Sequence, residues 1–141
     1  MPRIAVVATR LGTIVDSMVK FVEENAKNYG FEISGIYRVA SLLGIPILVK
    51  RILERNRDNI DGVVVIGAIV KGTQLDEYVF NQVISKLLDL SIEYEKPIGF
   101  SISAPGIYWN NKLMEAGSEA YASISLEEIK KVLEALKMYE K

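Results

Sequence analysis

Short apolar runs alternate along this chain with stretches whose apolar residues recur every three or four positions. Arg3 to Ala8 reads RIAVVA, rich in valine and isoleucine, as in a strand covered on both faces. In the stretch that follows, Ile14, Met18, Phe21, Val22 and Ala26 fall on one helical face, and Gly30 stands where that helix would stop. FEISGIYRV is a second strand with better alternation. IPILVKRILERNR is a second helix, with Pro46 near its start, where a missing N–H costs little. Arg51, Arg55 and Arg57 suit the negative end of its dipole.

DGVVVIGAI predicts a third strand. The segment from Leu75 to Glu95 predicts a long helix with Val79, Val83, Leu87 and Leu90 on its apolar side. KPIGFSIS predicts a fourth strand. APGIYWNNKLMEAG reads as a loop and short helix. SLEEIKKVLEALKMYEK reads as a closing helix opened by a capping box of Ser125 and Glu128. Strands that alternate with helices imply a parallel sheet with helices on both faces. Right-handed crossovers then bring four loops to one rim: Thr9 to Thr13, Ala40 to Ile45, Ala68 to Gln74 and Ser101 to Trp109.

Composition narrows the chemistry. The chain has 141 residues, the size of one domain spanning 1–141, and half are hydrophobic, enough for a real core. A formal net charge of −1 argues against bulk electrostatic binding of nucleic acid. There is no cysteine and no histidine. Disulfides, thiolate nucleophiles, an imidazole base and His/Cys zinc sites are therefore excluded. No apolar run approaches the ~20 residues of a membrane span. The start, MPRIAVVAT, enters a strand at once without a signal-peptide pattern, so a cytoplasmic location is expected.

Several rim motifs carry two readings. The loop GAIVKGT, from Gly67 to Thr73, follows an apolar strand and opens a helix, where backbone N–H groups attract anions. It lacks both the P-loop and the dinucleotide spacing. It is either an anion site or an ordinary turn with Thr73 as N-cap. Asp76 and Glu77 are either an acid/base or metal pair or favourable charge in a first helical turn. Tyr108 and Trp109 suit stacking on a flat ligand, or packing against the loop or another subunit. KRILERNR reads as a solvated basic helix face rather than a nucleic-acid site.

Together these stretches resemble the lumazine synthase family over nearly the whole chain. DGVVVIGAIVKGTQLDEYV is similar to the family's DAVVxLGAVIKGETxHxDxV, and LLDLSIEYEKPIGFSIS to LxxLSLExxKPVxFGV. MEAG is similar to ERAG, and APG to the GPG of some archaeal-type members. The resemblance implies a flavodoxin-like three-layer α/β/α sandwich with strand order 2-1-3-4. It implies condensation of a ribitylamino-pyrimidinedione with a butanone phosphate in riboflavin biosynthesis, without a cofactor or metal. It also implies sites between neighbouring subunits of a homopentamer or a multiple of one.

Carried over residue by residue, the resemblance implies a ligand pocket but no catalytic side chain. Arg10 takes the place of the aromatic residue that stacks on the pyrimidine, a role a guanidinium can share. In the second loop Pro46 is kept and Gly44 replaces the acid, beside Leu43. The third loop is one residue shorter. There Ala68, Ile69, Val70, Gly72 and Thr73 match ligand positions, Gly72 and Thr73 those that receive phosphate, and Leu75 replaces the histidine. Glu115 stands at the phosphate arginine, and Phe100 matches the ring-pocket residue. The implied ligand is a pyrimidine or a phosphate-like anion. Two other readings share the fold: a non-catalytic oligomeric paralogue that binds a flavin-like or anionic ligand or regulates assembly, and, ranked last because its Pro-Gly and acidic residues in the second loop are missing here, an archaeal-type riboflavin synthase.

Overall fold

The computed structural model describes residues 1–10, 12–68, 74–103 and 111–140, with backbone alone for residue 103 and residues 111–118. Four parallel strands, β1 (Arg3–Thr9), β2 (Glu32–Val39), β3 (Gly62–Ala68) and β4 (Ile98–Ser103), form one sheet in the order β2-β1-β3-β4. The helices are α1 (Gly12–Asn25), α2 (Ile45–Arg55), α3 (Gln74–Tyr94) and α4 (Asn111–Met138). This is the expected three-layer α/β/α sandwich.

Hydropathy sorts the strands. Every residue of β3 is buried, and so are Ile4 to Thr9 of β1, so the two most apolar strands take the centre. The mixed burial of β2 marks an edge. Its register to β1 shifts between Ile4 and Ala5, where the Ser34 hydroxyl donates to the Ile4 carbonyl at 3.1 Å. The core divides by strand alternation. Ala5, Val7, Val63, Val65, Ile98 and Ile102 meet α2 and α3. Ile4, Val6, Ala8, Val64 and Ile66 meet α1 and α4.

Local expectations hold at several ends. Pro46 lies in the first turn of α2. Gly30 ends the α1 segment in the left-handed region at φ 85°, after a 3-10 turn at Ala26–Tyr29. Ile14, Met18, Val22 and Ala26 are buried and Phe21 partly so, with Val15 and Val19 added to that face.

The closing helix differs from its expectation. It is one continuous element from Asn111 to Met138, and Ser125 lies inside it rather than at its start. A Ser-x-x-Glu spacing specifies a cap only where the serine leaves the helix. Here Ser125 is buried and satisfied without leaving. It donates to the Ala122 carbonyl at 2.8 Å and accepts from the Ser101 hydroxyl of β4 at 2.6 Å. Gly99 lets the helix backbone come this close, because a Cβ there would lie 2.6 Å from the Ser125 carbonyl oxygen.

Candidate functional site

Because all four strands are parallel, Thr9, Val39, Ala68 and Ser103 end at one rim. The expected loops leave from there.

The first loop is a short step from Thr9 to Gly12, which opens α1 at φ 53°, a value glycine adopts without strain. Arg10, the residue after β1, is exposed. Arg38, near the end of β2, reaches across the sheet end. Its Nη1 donates to the Thr9 carbonyl at 2.9 Å, and its Nη2 lies 3.1 Å from the Asp16 carboxylate in α1. Thr9 itself is fully buried, and its hydroxyl has no hydrogen-bond partner among the described residues.

The second loop turns through a 3-10 segment, Leu42–Gly44, into α2. Leu42 points inward and is buried, with its Cδ2 2.6 Å from the place of a Cβ on Gly67. Leu43, the next residue, is 68% exposed. Gly44 has φ −85°, and among the described residues a Cβ there would lie nearest Val39, at 3.5 Å, an ordinary contact. The turn therefore does not require a glycine at this position.

Of the third loop, Ala68 is buried at the end of β3. Ile69, Val70, Lys71, Gly72 and Thr73 lie outside the described residues, and with them the anion-site and N-cap readings. Past them, Leu75 is 71% exposed, and Asp76 and Glu77 occupy the first turn of α3. Among the described residues no group of three or more His, Cys, Asp or Glu is placed to hold a metal ion. Tyr108 and Trp109 also lie outside the described residues, and the side chain of Glu115 is among those not described.

Phe100 pairs in register with Val65, three residues short of the end of β4, and packs partly buried against the α2/α3 side of the core. It borders a groove of about 400 Å³ along the free edge of β4, between Leu88 and Ser91 of α3 and Ile124 and Glu128 of α4. Strands stand ~4.8 Å apart and rise ~3.3 Å per residue. Arg10 and Phe100 of one chain are thus separated by the width of β3 and by about three residues of rise, roughly 10 Å in each direction. The structure gathers Arg10, Leu43, Gly44 and Ala68 at the rim and sets Phe100 on another surface.

The basic stretch is a solvated, partly paired face, and α2 ends at Arg55, so Arg57 lies past the helix that was expected to hold it. Lys50 bonds Glu54 at 3.0 Å, and the Arg57 guanidinium lies 5.1 Å from the centre of the Tyr94 ring.

The sequence model of 6,7-dimethyl-8-ribityllumazine synthase matches residues 1–139. The chain belongs to the lumazine synthase family. A relative from Staphylothermus marinus, named 6,7-dimethyl-8-ribityllumazine synthase, is 35% identical over 99% of this chain and 92% of its own length. One of the same name from Archaeoglobus fulgidus is 37% identical over 84% of this chain and 80% of its own. A third, from Methanocaldococcus jannaschii, is 32% identical over 87% and 84%.

Within this lumazine synthase scaffold, sequence reasoning missed Arg38 and the Leu42–Gly67 contact. A lone cation near the end of the apolar run GIYRV was the available signal for Arg38. Leu42 carried none, because LL gives no hint of which leucine turns inward.

Proposed function

We propose that this chain is a 6,7-dimethyl-8-ribityllumazine synthase of riboflavin biosynthesis that works by holding two substrates together rather than by shuttling protons through an imidazole. The observation that carries the reading is the family match over residues 1–139. In the reaction an amine of the ribitylamino-pyrimidinedione condenses with the ketone with loss of water, phosphate is eliminated from the butanone phosphate, and the second amine closes the ring on the carbonyl so formed with loss of a second water. Arg10 supplies positive charge and a flat cation for the heterocycle or the phosphate. The backbone of Gly72 and Thr73 receives the anion at the start of α3. Holding two reactants in register contributes several powers of ten in effective concentration without any acid or base. The absence of histidine costs roughly 10²–10⁴ in rate against a site with a working proton shuttle.

The pocket is completed by a second copy, whose Phe100 supplies the ring wall that Arg10 of the same chain does not reach. Two unlike apolar surfaces support a head-to-tail ring. Leu43, Ile47, Leu75 and Tyr78 are exposed at the rim ends of α2 and α3. Leu88 and Ile124 are exposed along the β4 groove, and Ile92 is exposed one turn along α3 from Leu88. A homopentamer or a multiple of one, in the cytoplasm, is the assembly this reading requires. No described helix is long and apolar enough to cross a membrane.

Incubation with both substrates tests the reaction. Product absorbance must rise faster than in buffer alone and slow on Arg10→Ala. The second reading is a non-catalytic paralogue that binds a flavin-like or anionic ligand. It is favoured by Gly44, Leu75 and Glu115 at the positions of the family's acid, histidine and arginine. Binding of riboflavin or phosphate with no rate above buffer decides for it. A monomer by light scattering at micromolar concentration overturns the shared pocket.

A further inference from the structure

We infer that Arg38 is a positioning residue that sets where Arg10 stands at the rim. This rests on the reading above that Arg10 contacts the ligand. The loop that carries Arg10 is anchored by Thr9 at the end of β1 and by α1, which begins at Gly12. One guanidinium holds both anchors, through Nη1 to the Thr9 carbonyl at 2.9 Å and through Nη2 to Asp16 Oδ1 at 3.1 Å. The planar fork suits this task, because one guanidinium donates to the carbonyl through one nitrogen and pairs with the carboxylate through another.

The clamp has no other obvious purpose. Thr9 is the last residue of β1, and its carbonyl accepts from the Arg38 guanidinium. The Arg38 side chain is 31% exposed and that of Asp16 is 65% exposed, so the ion pair contributes little to global stability. Its effect is geometric. Gly12, at φ 53°, has no side chain and no described neighbour within 4 Å of where one would start, so it adds no packing of its own at the start of α1. Arg38 lies on β2, in register with Ala8, and ties the loop to a strand that the loop does not belong to.

The test uses the full chain and two readouts. Amide hydrogen exchange over residues 9–16 is compared in wild type, Arg38→Met, Arg38→Lys and Asp16→Asn. Release of the clamp raises exchange there and leaves the α3 and α4 amides unchanged. Arg38→Lys, with one point donor instead of a fork, restores protection only in part. Unchanged exchange in Arg38→Met overturns the clamp. Calorimetric titration with inorganic phosphate and with riboflavin is the second readout. Arg38→Met weakens binding roughly tenfold, as a smaller share of molecules holds Arg10 in place. The double variant Arg10→Ala/Arg38→Met binds no more weakly than Arg10→Ala alone. Additive losses overturn the positioning role. If wild type binds neither ligand, the ligand reading of Arg10 falls and takes this role with it, whereas the exchange result shows separately whether the clamp exists.

Discussion

Leu42 occupies the space that a side chain on Gly67 would need, with its Cδ2 2.6 Å from that Cβ position. This contact seats the second rim loop on β3 and turns Leu43 outward. At Gly99 the equivalent space is taken by the carbonyl oxygen of Ser125, also at 2.6 Å. The two glycines predict different costs. In Gly67→Ala a terminal methyl can rotate away, at about 1 kcal/mol. In Gly99→Ala the whole of α4 must move off the sheet and the Ser101–Ser125 hydrogen bond is stretched, at about 3 kcal/mol. Urea unfolding measures both, and equal losses would refute this account of the packing.

Thr9 presents the opposite case, a buried hydroxyl with no partner among the described residues. Leaving such a group unsatisfied costs ~1–3 kcal/mol. Thr9→Val keeps the branched shape and is expected to raise stability by about 1 kcal/mol, seen as a higher melting temperature. A fall in melting temperature would mean that the hydroxyl is satisfied in solution.

The resemblance of the second loop to the family's implies an acid at the place of Gly44, whose backbone is not in a region reserved for glycine. Gly44→Glu should fold with stability unchanged or raised by ~0.5 kcal/mol, since the substitution restricts the unfolded chain. If the rim holds the pyrimidine, the new carboxylate accepts its N–H groups, and KM for that substrate falls roughly tenfold. A well-folded variant with an unchanged KM would show that the second loop does not touch the heterocycle.

The Lys50–Glu54 pair gives a pH test away from the rim. The hydrogen bond from Lys50, followed by its charge, holds the Glu54 carboxyl below its usual 4.5, and the same contact raises Lys50 above 10.5. A depressed carboxylate adds stability above its unfolded pKa and loses it as the pH falls through the folded value, so the Glu54 window lies below 4.5. For Lys50 the sign reverses: its contribution is present below 10.5 and is lost as the pH rises through the raised value. Both side chains are exposed, so the pair is a local reporter rather than a source of stability. Carbon-detected NMR titration should show Glu54 returning upward in Lys50→Ala, and also at high salt in wild type. An unmoved Glu54 would place the cause elsewhere.

The sequence by itself determined the layers. Period-two and period-3.6 patterns report which face of each element meets the core, and the order of elements makes the sheet parallel. One rim for all four loops follows from that. The absence of histidine and cysteine likewise limits the chemistry without any coordinates. Only the tertiary structure decided how distant residues meet. Ser125 reads locally as a cap and becomes an interior helical residue because Ser101, twenty-four positions away, bonds its hydroxyl. Leu42 and Leu43 are indistinguishable by pattern until Gly67 makes room for one of them. Arg10 and Phe100 resemble one pocket along the chain, yet β3 stands between β1 and β4 and separates them. Periodicity records each residue's own burial, whereas these three outcomes depend on pairs of residues that the fold brings together or keeps apart.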